Sequence, residues 1–312
     1  MDRRYYIGID GGGTRTTIAL ADDAGVELAR RSGPAGIVDP RRPLAAADTI
    51  VRLVRELLGE ATVTVPVEAL CAGLAGTGNV VEREGGREAL DREGVARRVA
   101  VCSDGEIALE GALGGRPGVL LVGGTGSVGW GRGEDGRIQR CGGWGMIAGD
   151  EGSAYGLGRA ALAAALRSHD GRGEETLLLP RLLEVLDLAH PDALPSWAGR
   201  AEKGEIAGLA LHVVRLAQEG DGVAGELVRE AAGELAEHAM ALIRRLGPWR
   251  SATPVVLHGG LARHPAFATM VEAFLRRAAV RFEMESAAKD AAAGALELAR
   301  GLRGAPPPSE FS

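Results

Sequence analysis

The sequence predicts an α/β protein made of two similar domains facing each other across a cleft. Two stretches carry most of that prediction. "YYIGIDGGGTRTTIALA" (Tyr5–Ala21) and "GVLLVGGTGSVGWGRG" (Gly118–Gly133) share one layout: an apolar strand, a Gly/Thr turn, then a second strand. They stand about a hundred residues apart, too far for a short solenoid repeat. The third observation is helical periodicity in the segments between and after them.

Taken in order, Tyr6 and Gly8 alternate with Ile7 and Ile9, a strand signature. "TRTTIALADD" reads as a second strand and "AGVELARRSG" as a third, separated by an Asp-Asp-Ala-Gly turn. "PLAAADTIVRLVRELLGE" carries apolar residues at helical spacing, with Gly59 near its end. Short buried strands follow in "VEALCAGLAG" and "RRVAVCSDG", then a helix over Ala108–Leu113. After the second glycine hairpin, Glu151–Arg167 reads as an Ala/Leu-rich helix. From Glu175 to Leu246 the pattern is nearly all helical, broken near "HPDALP". "ATPVVLHGGLARH" is a buried strand ending in Gly-Gly, and "KDAAAGALELARGL" is a last helix. The expected domains are 1–112, 113–286, and a C-terminal helix 287–303 packing back on the first domain. Residues 304–312 form a tail with nothing to bury.

Composition narrows the function. At 312 residues, 46% hydrophobic and 25% charged, the chain can build two cores. A net charge of −6 without a Lys/Arg cluster on one face argues against a nucleic-acid partner. No apolar run is long enough to cross a bilayer, and "MDRR" leads straight into a strand, so the expected location is cytoplasmic with no membrane partner. Cys71, Cys102 and Cys141 lie far apart, without metal-ligand spacing, and read as reduced buried thiols.

The glycine turns point to phosphate. Gly11-Gly12-Gly13 is no dinucleotide fingerprint, because that motif needs a helix directly behind it and "TTIAL" is a strand. A Walker A loop is excluded because no Gly-Lys-Ser/Thr follows. What remains is a hairpin whose backbone N–H groups, from Gly11 to Arg15, form an anion-binding concavity, with hydroxyls from Thr14 and Thr16. Gly124, Thr125, Gly126 and Ser127 make its echo. Asp10 stands at the strand end before the turn. A carboxylate there would repel phosphate unless a cation intervened, which implies Mg²⁺ held through water; the other reading is a turn-capping aspartate. Gly259 and Gly260 suit a third, adenosine-contacting turn, or a bare helix-start turn.

The layout resembles the actin, hexokinase and heat-shock chaperone superfold, in which two ribonuclease H-like domains each offer a phosphate hairpin to a nucleotide. Within it, "CGGWGMIAGDEGSAYGLGR" (Cys141–Arg159), together with "SDG" and "GGTGS", resembles the BadF/BadG/BcrA/BcrD ATPase family and its N-acetylglucosamine kinase branch. That resemblance implies ATP and Mg²⁺ as cofactors and transfer of the γ-phosphoryl group to the 6-hydroxyl of an amino sugar. Glucosamine or a broader set of hexoses is the alternative. It further implies Asp104 as catalytic base and Thr125, Gly143, Trp144 and Asp150 as the lining of a sugar pocket. A homodimer is the expected assembly. The residues agree in part: Asp104 follows a strand and precedes a helix, where it could serve as base, as helix N-cap, or both. Trp144 offers a flat apolar face or core packing. Asp150 and Glu151 supply acceptors, or else start and cap the helix expected at Gly152.

One position departs from the family pattern. Where such kinases carry an asparagine that contacts the sugar, "SGPAGIVDP" places Gly36, which puts the identity of the sugar in question. Two other functions share the superfold. Acyl-CoA dehydratase activators need cluster-ligating cysteines, and Cys141 has no suitable second thiol nearby. A sugar sensor would need a reader domain, and the chain starts close to its first strand.

Overall fold

The structure, a computed structural model, describes residues 3–12, 15–36, 43–77 and 80–302. The expected tail at 304–312 lies outside them. The chain divides into two compact units, Met1–Arg116 with Ala287–Ser312, and Pro117–Ser286.

The first unit opens as an antiparallel meander of β1 (Tyr5–Gly11), β2 (Thr16–Asp22) and β3 (Glu27–Gly33). Helix α1 (Pro43–Glu60) crosses over to β4 (Ala69–Leu74), which runs parallel to β1. Helix α2 (Val80–Arg92) then leads to β5 (Val99–Ser103), parallel to β4, and α3 (Asp104–Leu113) follows. The sheet order is β3-β2-β1-β4-β5.

The second unit repeats that wiring. Strands β6 (Gly118–Gly123), β7 (Ser127–Arg132) and β8 (Ile138–Gly142) form its meander. A helical insertion follows: α4 (Gly145–Ala148), α5 (Ala154–His169), α6 (Leu178–Val185), α7 (Ala193–Ala198), α8 (Lys203–Gly208), α9 (Ala210–Gln218) and α10 (Gly222–Leu246). Then β9 (Thr253–His258) pairs parallel with β6, and α11 (Pro265–Arg277) leads to β10 (Phe282–Glu285), parallel to β9. The order β10-β9-β6-β7-β8 mirrors the first sheet strand for strand. Both have the ribonuclease H-like α/β topology expected from the sequence. The last helix, α12 (Ala291–Gly301), belongs to the first unit.

Burial explains why β1 is apolar almost throughout. Ile7 and Ile9 enter one core with Ile18, Leu70 and the α1 residues Ile50, Val54 and Leu57. Tyr6, on the opposite face, packs with Ala19, Ala292, Ala295 and Leu296. With helices on both faces, a strand reads as continuously hydrophobic rather than alternating with polar residues.

Helices α3 and α12 meet through glycines. A Cβ on Gly294 would lie well inside contact distance of the Ile107 carbonyl, and one on Gly111 would strike the Asp290 carbonyl. The backbones touch because neither residue has a side chain.

Three elements escape the sequence reading. Helix α2, "VVEREGGREALDR", carries two glycines and mostly charged residues, and buries only Gly86, Ala89 and Leu90. Its helical period is therefore faint. Strand β10 closes the second sheet on an edge without a fully buried residue, so it too lacks a strong pattern, whereas α11 buries Phe267, Val271 and Leu275 at helical spacing and was legible but unread.

Gly294→Ala should therefore cost about 3 kcal/mol, the upper range for overpacking a closed contact. Urea unfolding of the full chain measures it; a loss below about 0.5 kcal/mol would mean that the helices separate freely.

Candidate functional site

In the first unit the parallel strands β1, β4 and β5 end on one edge of the sheet, and that edge gathers the predicted groups. Gly11 closes the β1–β2 ladder opposite Thr16, and the Gly12 N–H donates to the Arg15 carbonyl at 3.0 Å. Gly13 and Thr14 lie outside the described residues. The Gly11 carbonyl accepts from the Ala75 N–H beyond β4 at 2.8 Å.

Asp10 is half-buried between Thr17 of β2 and Gly73 of β4. Burial pushes its carboxyl up from 3.8 to about 6, helped by the charges of Asp104 and Asp290 and opposed by Arg15 and Arg30. Asp290 itself is held below the usual carboxylate range. Burial works against that, but the hydrogen bond from Arg30 (2.6 Å) and the Ala293 N–H at the start of α12 (2.9 Å) outweigh it.

Asp104 is the first residue of α3 and not its cap, as the sequence had allowed. Ser103 caps the helix: its Oγ accepts the Glu106 N–H at 3.2 Å, and the Glu106 carboxylate accepts the Ser103 N–H at 2.8 Å. That reciprocal capping box leaves the Asp104 carboxylate with backbone N–H donors of its own turn alone, that of Gly105 at 2.9 Å and its own. The side chain is exposed at its edge, yet desolvation by the protein around it raises its carboxyl above the ordinary value.

Gly36 is buried, and a Cβ there would sit 2.6 Å from Thr16 Oγ1, which donates to the Pro34 carbonyl at 2.7 Å. In this packing position 36 offers backbone only, and an asparagine would need Thr16 to move.

The second unit builds its hairpin differently. The Gly124 N–H donates to the Gly126 carbonyl at 3.0 Å, while Ala154 and Tyr155, at the start of α5, donate to the carbonyls of Gly124 (2.9 Å) and Thr125 (3.3 Å). Helix α5 starts at Ala154 and not at the expected Gly152, because Ser153 is its cap, accepting the Gly156 N–H at 3.0 Å. Asp150 and Glu151 therefore do not cap it.

Asp150 has another task. Only 4% exposed, it adopts the left-handed region at φ 63°, and its Oδ1 accepts the Ser127 N–H at 3.2 Å. Its Oδ2 lies 2.6 Å from Lys203 Nζ in α8. A Cβ on Gly126 would fall 2.6 Å from Asp150 Oδ1 and 3.1 Å from Lys203 Nζ, so the turn approaches this ion pair only as glycine. The glycine turn after β9 docks on the same hairpin: a Gly259 Cβ would meet the Gly123 carbonyl at 2.6 Å, and the Ala262 N–H donates to that carbonyl at 2.8 Å. Space around Gly260 is open.

Trp144 is not core. It is 68% exposed on the loop after β8, where Gly142, Gly143 and Gly145 all have positive φ. The Arg140 guanidinium lies over its ring, 4.5 Å from the centroid. Gly143 backs onto Val128 of β7. The three cysteines are free; Cys71 is buried and Cys102 and Cys141 are half-buried.

Each unit thus brings its own set together: Asp10, Gly11, Gly12, Arg15, Gly36 and Asp104 in one; Gly124–Ser127, Asp150, Gly259, Gly260 and the Gly143–Trp144 loop in the other. Sequence reasoning missed Lys203, Arg140, Arg30 and Asp290. A signal for Lys203 exists, because among 36 Lys and Arg residues only Lys203 and Lys289 are lysine.

The chain as a whole is similar to known proteins. The BadF/BadG/BcrA/BcrD ATPase family model matches residues 7–299, and the chain belongs to that family of ATP-using proteins. A Clostridium acetobutylicum protein named N-acetylmuramic acid/N-acetylglucosamine kinase is 32% identical over 95% of this chain and 98% of its own. A Dictyostelium discoideum N-acetyl-D-glucosamine kinase is 30% identical, covering 83% of this chain and 86% of its own. A solved structure from Chromobacterium violaceum, provisionally named N-acetylglucosamine kinase, superposes with a TM-score of 0.76 at 31% identity, over 95% of this chain and 98% of that one.

Two outcomes follow from this geometry. Lys203→Met strands a buried carboxylate and should cost about 2–4 kcal/mol, less than for a fully buried pair because Lys203 is one-third exposed. Adding Asp150→Asn should recover at least half, by urea titration; no recovery would mean that the ion pair is not the cause. The second concerns pH. Asp10 binds its proton more tightly folded (about 6) than unfolded (3.8), so its contribution is present below pH 3.8 and lost as pH rises through 6. The loss is about 2–3 kcal/mol. Asp10→Asn, without nucleotide, should melt above wild type at pH 8, with the gap closing near pH 4. An unchanged gap would refute the assignment.

Proposed function

We propose that this chain is an ATP-dependent amino-sugar kinase that transfers the γ-phosphoryl group to the 6-hydroxyl of N-acetylglucosamine. The observation that carries this reading is Asp104, a carboxylate relieved of capping duty by Ser103 and Glu106 and raised in basicity, in the unit that also carries the first glycine hairpin. The names borne by its relatives support the same acceptor, and N-acetylglucosamine and N-acetylmuramate are the first two sugars to assay.

Backbone N–H groups around Gly11–Arg15 and Gly124–Ser127 receive the nucleotide phosphates, with the Gly259–Gly260 turn at the adenosine. The sugar ring lies on Trp144, with Thr125, Gly143 and Asp150 lining its pocket and Gly36 contributing backbone. Asp104 accepts the proton of the 6-hydroxyl as its oxygen bonds to the γ-phosphorus, and the β–γ bridging bond breaks to release ADP.

A magnesium ion fits this frame. Burial, with the charges of Asp104 and Asp290 beside it, pushes the Asp10 carboxyl up to about 6, so at neutral pH an added cation relieves repulsion. Among the described residues no group of three or more His, Cys, Asp or Glu side chains could hold a metal by itself. Asp10 would therefore hold it through water, as Mg²⁺ prefers beside phosphates, and its charge would offset that on the β- and γ-phosphoryl oxygens. The homodimer and the cytoplasmic location belong to the same proposal; among the described residues no helix is long and apolar enough to cross a membrane.

Asp104→Asn should keep nucleotide and sugar binding, measured by calorimetry, while transfer falls about 10²- to 10⁴-fold, the range for loss of a general base. Normal phosphorylation by the variant would remove Asp104 from this role.

A further inference from the structure

Strand β8 places a positive charge beside Trp144 that phosphorylation of a neutral sugar does not call for. The Arg140 guanidinium covers one part of the indole at 4.5 Å and, among the described residues, has no carboxylate partner. Its stem runs along the Gly142–Gly143 turn, with Cδ 3.9 Å from where a Gly143 Cβ would be. Arg244 and Arg245, in the last turn of α10, add to it. An Arg245 guanidinium nitrogen reaches the Arg140 carbonyl at 3.5 Å, and both arginines favour the Cys141 thiolate against burial, with Glu151 the opposing charge. In a chain of net charge −6, several of whose surface arginines pair with a carboxylate three or four residues away, this loop is locally basic.

We propose that Arg140 is a specificity-determining residue that binds the carboxylate of an acidic amino sugar, one bearing a lactyl ether on the ring, while that ring rests on Trp144. This rests on the amino-sugar kinase reading above. Guanidinium and carboxylate match as planar, two-pronged partners, and stacking on the indole fixes the guanidinium plane before the ligand arrives. The pairing is additional to the transfer chemistry: it selects the acceptor and leaves the 6-hydroxyl, its proton and the phosphoryl group to the groups already described. Trp144, 68% exposed, has ring surface to spare beyond what Arg140 covers.

The test compares kcat/KM for N-acetylmuramate and N-acetylglucosamine in wild type, Arg140→Gln and Arg140→Lys. Turnover of N-acetylglucosamine shows that each variant is folded. Arg140→Gln should shift the N-acetylmuramate to N-acetylglucosamine ratio by about 10- to 100-fold toward the neutral sugar, the range for loss of a hydrogen bond to a charged group. Arg140→Lys should retain part of the preference, since charge remains and the fork is lost. An unchanged ratio, with both sugars losing equally, overturns the proposal and reduces Arg140 to a support for the indole. Wild type that phosphorylates N-acetylglucosamine but not N-acetylmuramate overturns it and leaves the kinase reading standing. Wild type that phosphorylates neither removes the kinase reading itself.

Discussion

A carboxylate with almost no access to water organises the second unit. Asp150 holds the Ser127 N–H with one oxygen and Lys203 with the other, and Gly126 leans against both. A buried charge of this kind is tolerated only when paired and hydrogen-bonded, so the hairpin, the loop before α5 and the start of α8 must keep their places together. The left-handed backbone at Asp150 is a further sign of constraint, because a non-glycine residue stays there only when its surroundings outweigh a cost of about 1–2 kcal/mol. The helical insertion is thereby connected to the phosphate turn: its lysine neutralises the group that shapes the turn.

The first unit is organised by an imbalance instead. Asp10 feels Asp104 and Asp290 as well as burial, and Arg15 and Arg30 compensate only in part, so its carboxyl is left near 6. Helix capping contributes to this. Because Ser103 and Glu106 satisfy the start of α3 between them, the Asp104 carboxylate is not needed to hold the helix and remains available to a proton donor. Such an arrangement is costly to the empty protein and suits one that binds a cation and an anion together, a common exchange of stability for function.

The duplicated sheet explains why these groups assemble at all. In each unit the meander turns back directly after its first strand, and the strands parallel to that one finish on the same edge. In an α/β sheet this is the edge where ligands bind, since the chain reversals place loops and helix starts there. Hence Asp10, Ala75 and Asp104 come together from three separate strands, and Gly123 and Gly259 from two others. A further consequence is that glycine becomes obligatory where backbones meet, between α3 and α12 as well as at Gly259.

How much of this was legible depends on the range of the physics involved. Strand and turn identities in both hairpins, and the helices with a strong apolar period, follow from local pattern: "YYIGIDGGG" can only be a buried strand meeting a turn. The weakly patterned α2 and the edge strand β10 were lost because their residues bury little, and burial is what writes a period into sequence. The roles of Asp104 and Asp150 were legible as candidates but not as geometry. Sequence left each as cap or ligand; Ser103 and Ser153 take the capping positions, and Lys203, from far along the chain, pairs with Asp150. By itself, then, the sequence determined the class of fold, the doubled glycine hairpin and the family. The tertiary structure alone decided which carboxylates are engaged, which are free, and where positive charge gathers. Those properties depend on desolvation and on pairs between distant residues, and neither exists until the chain has folded.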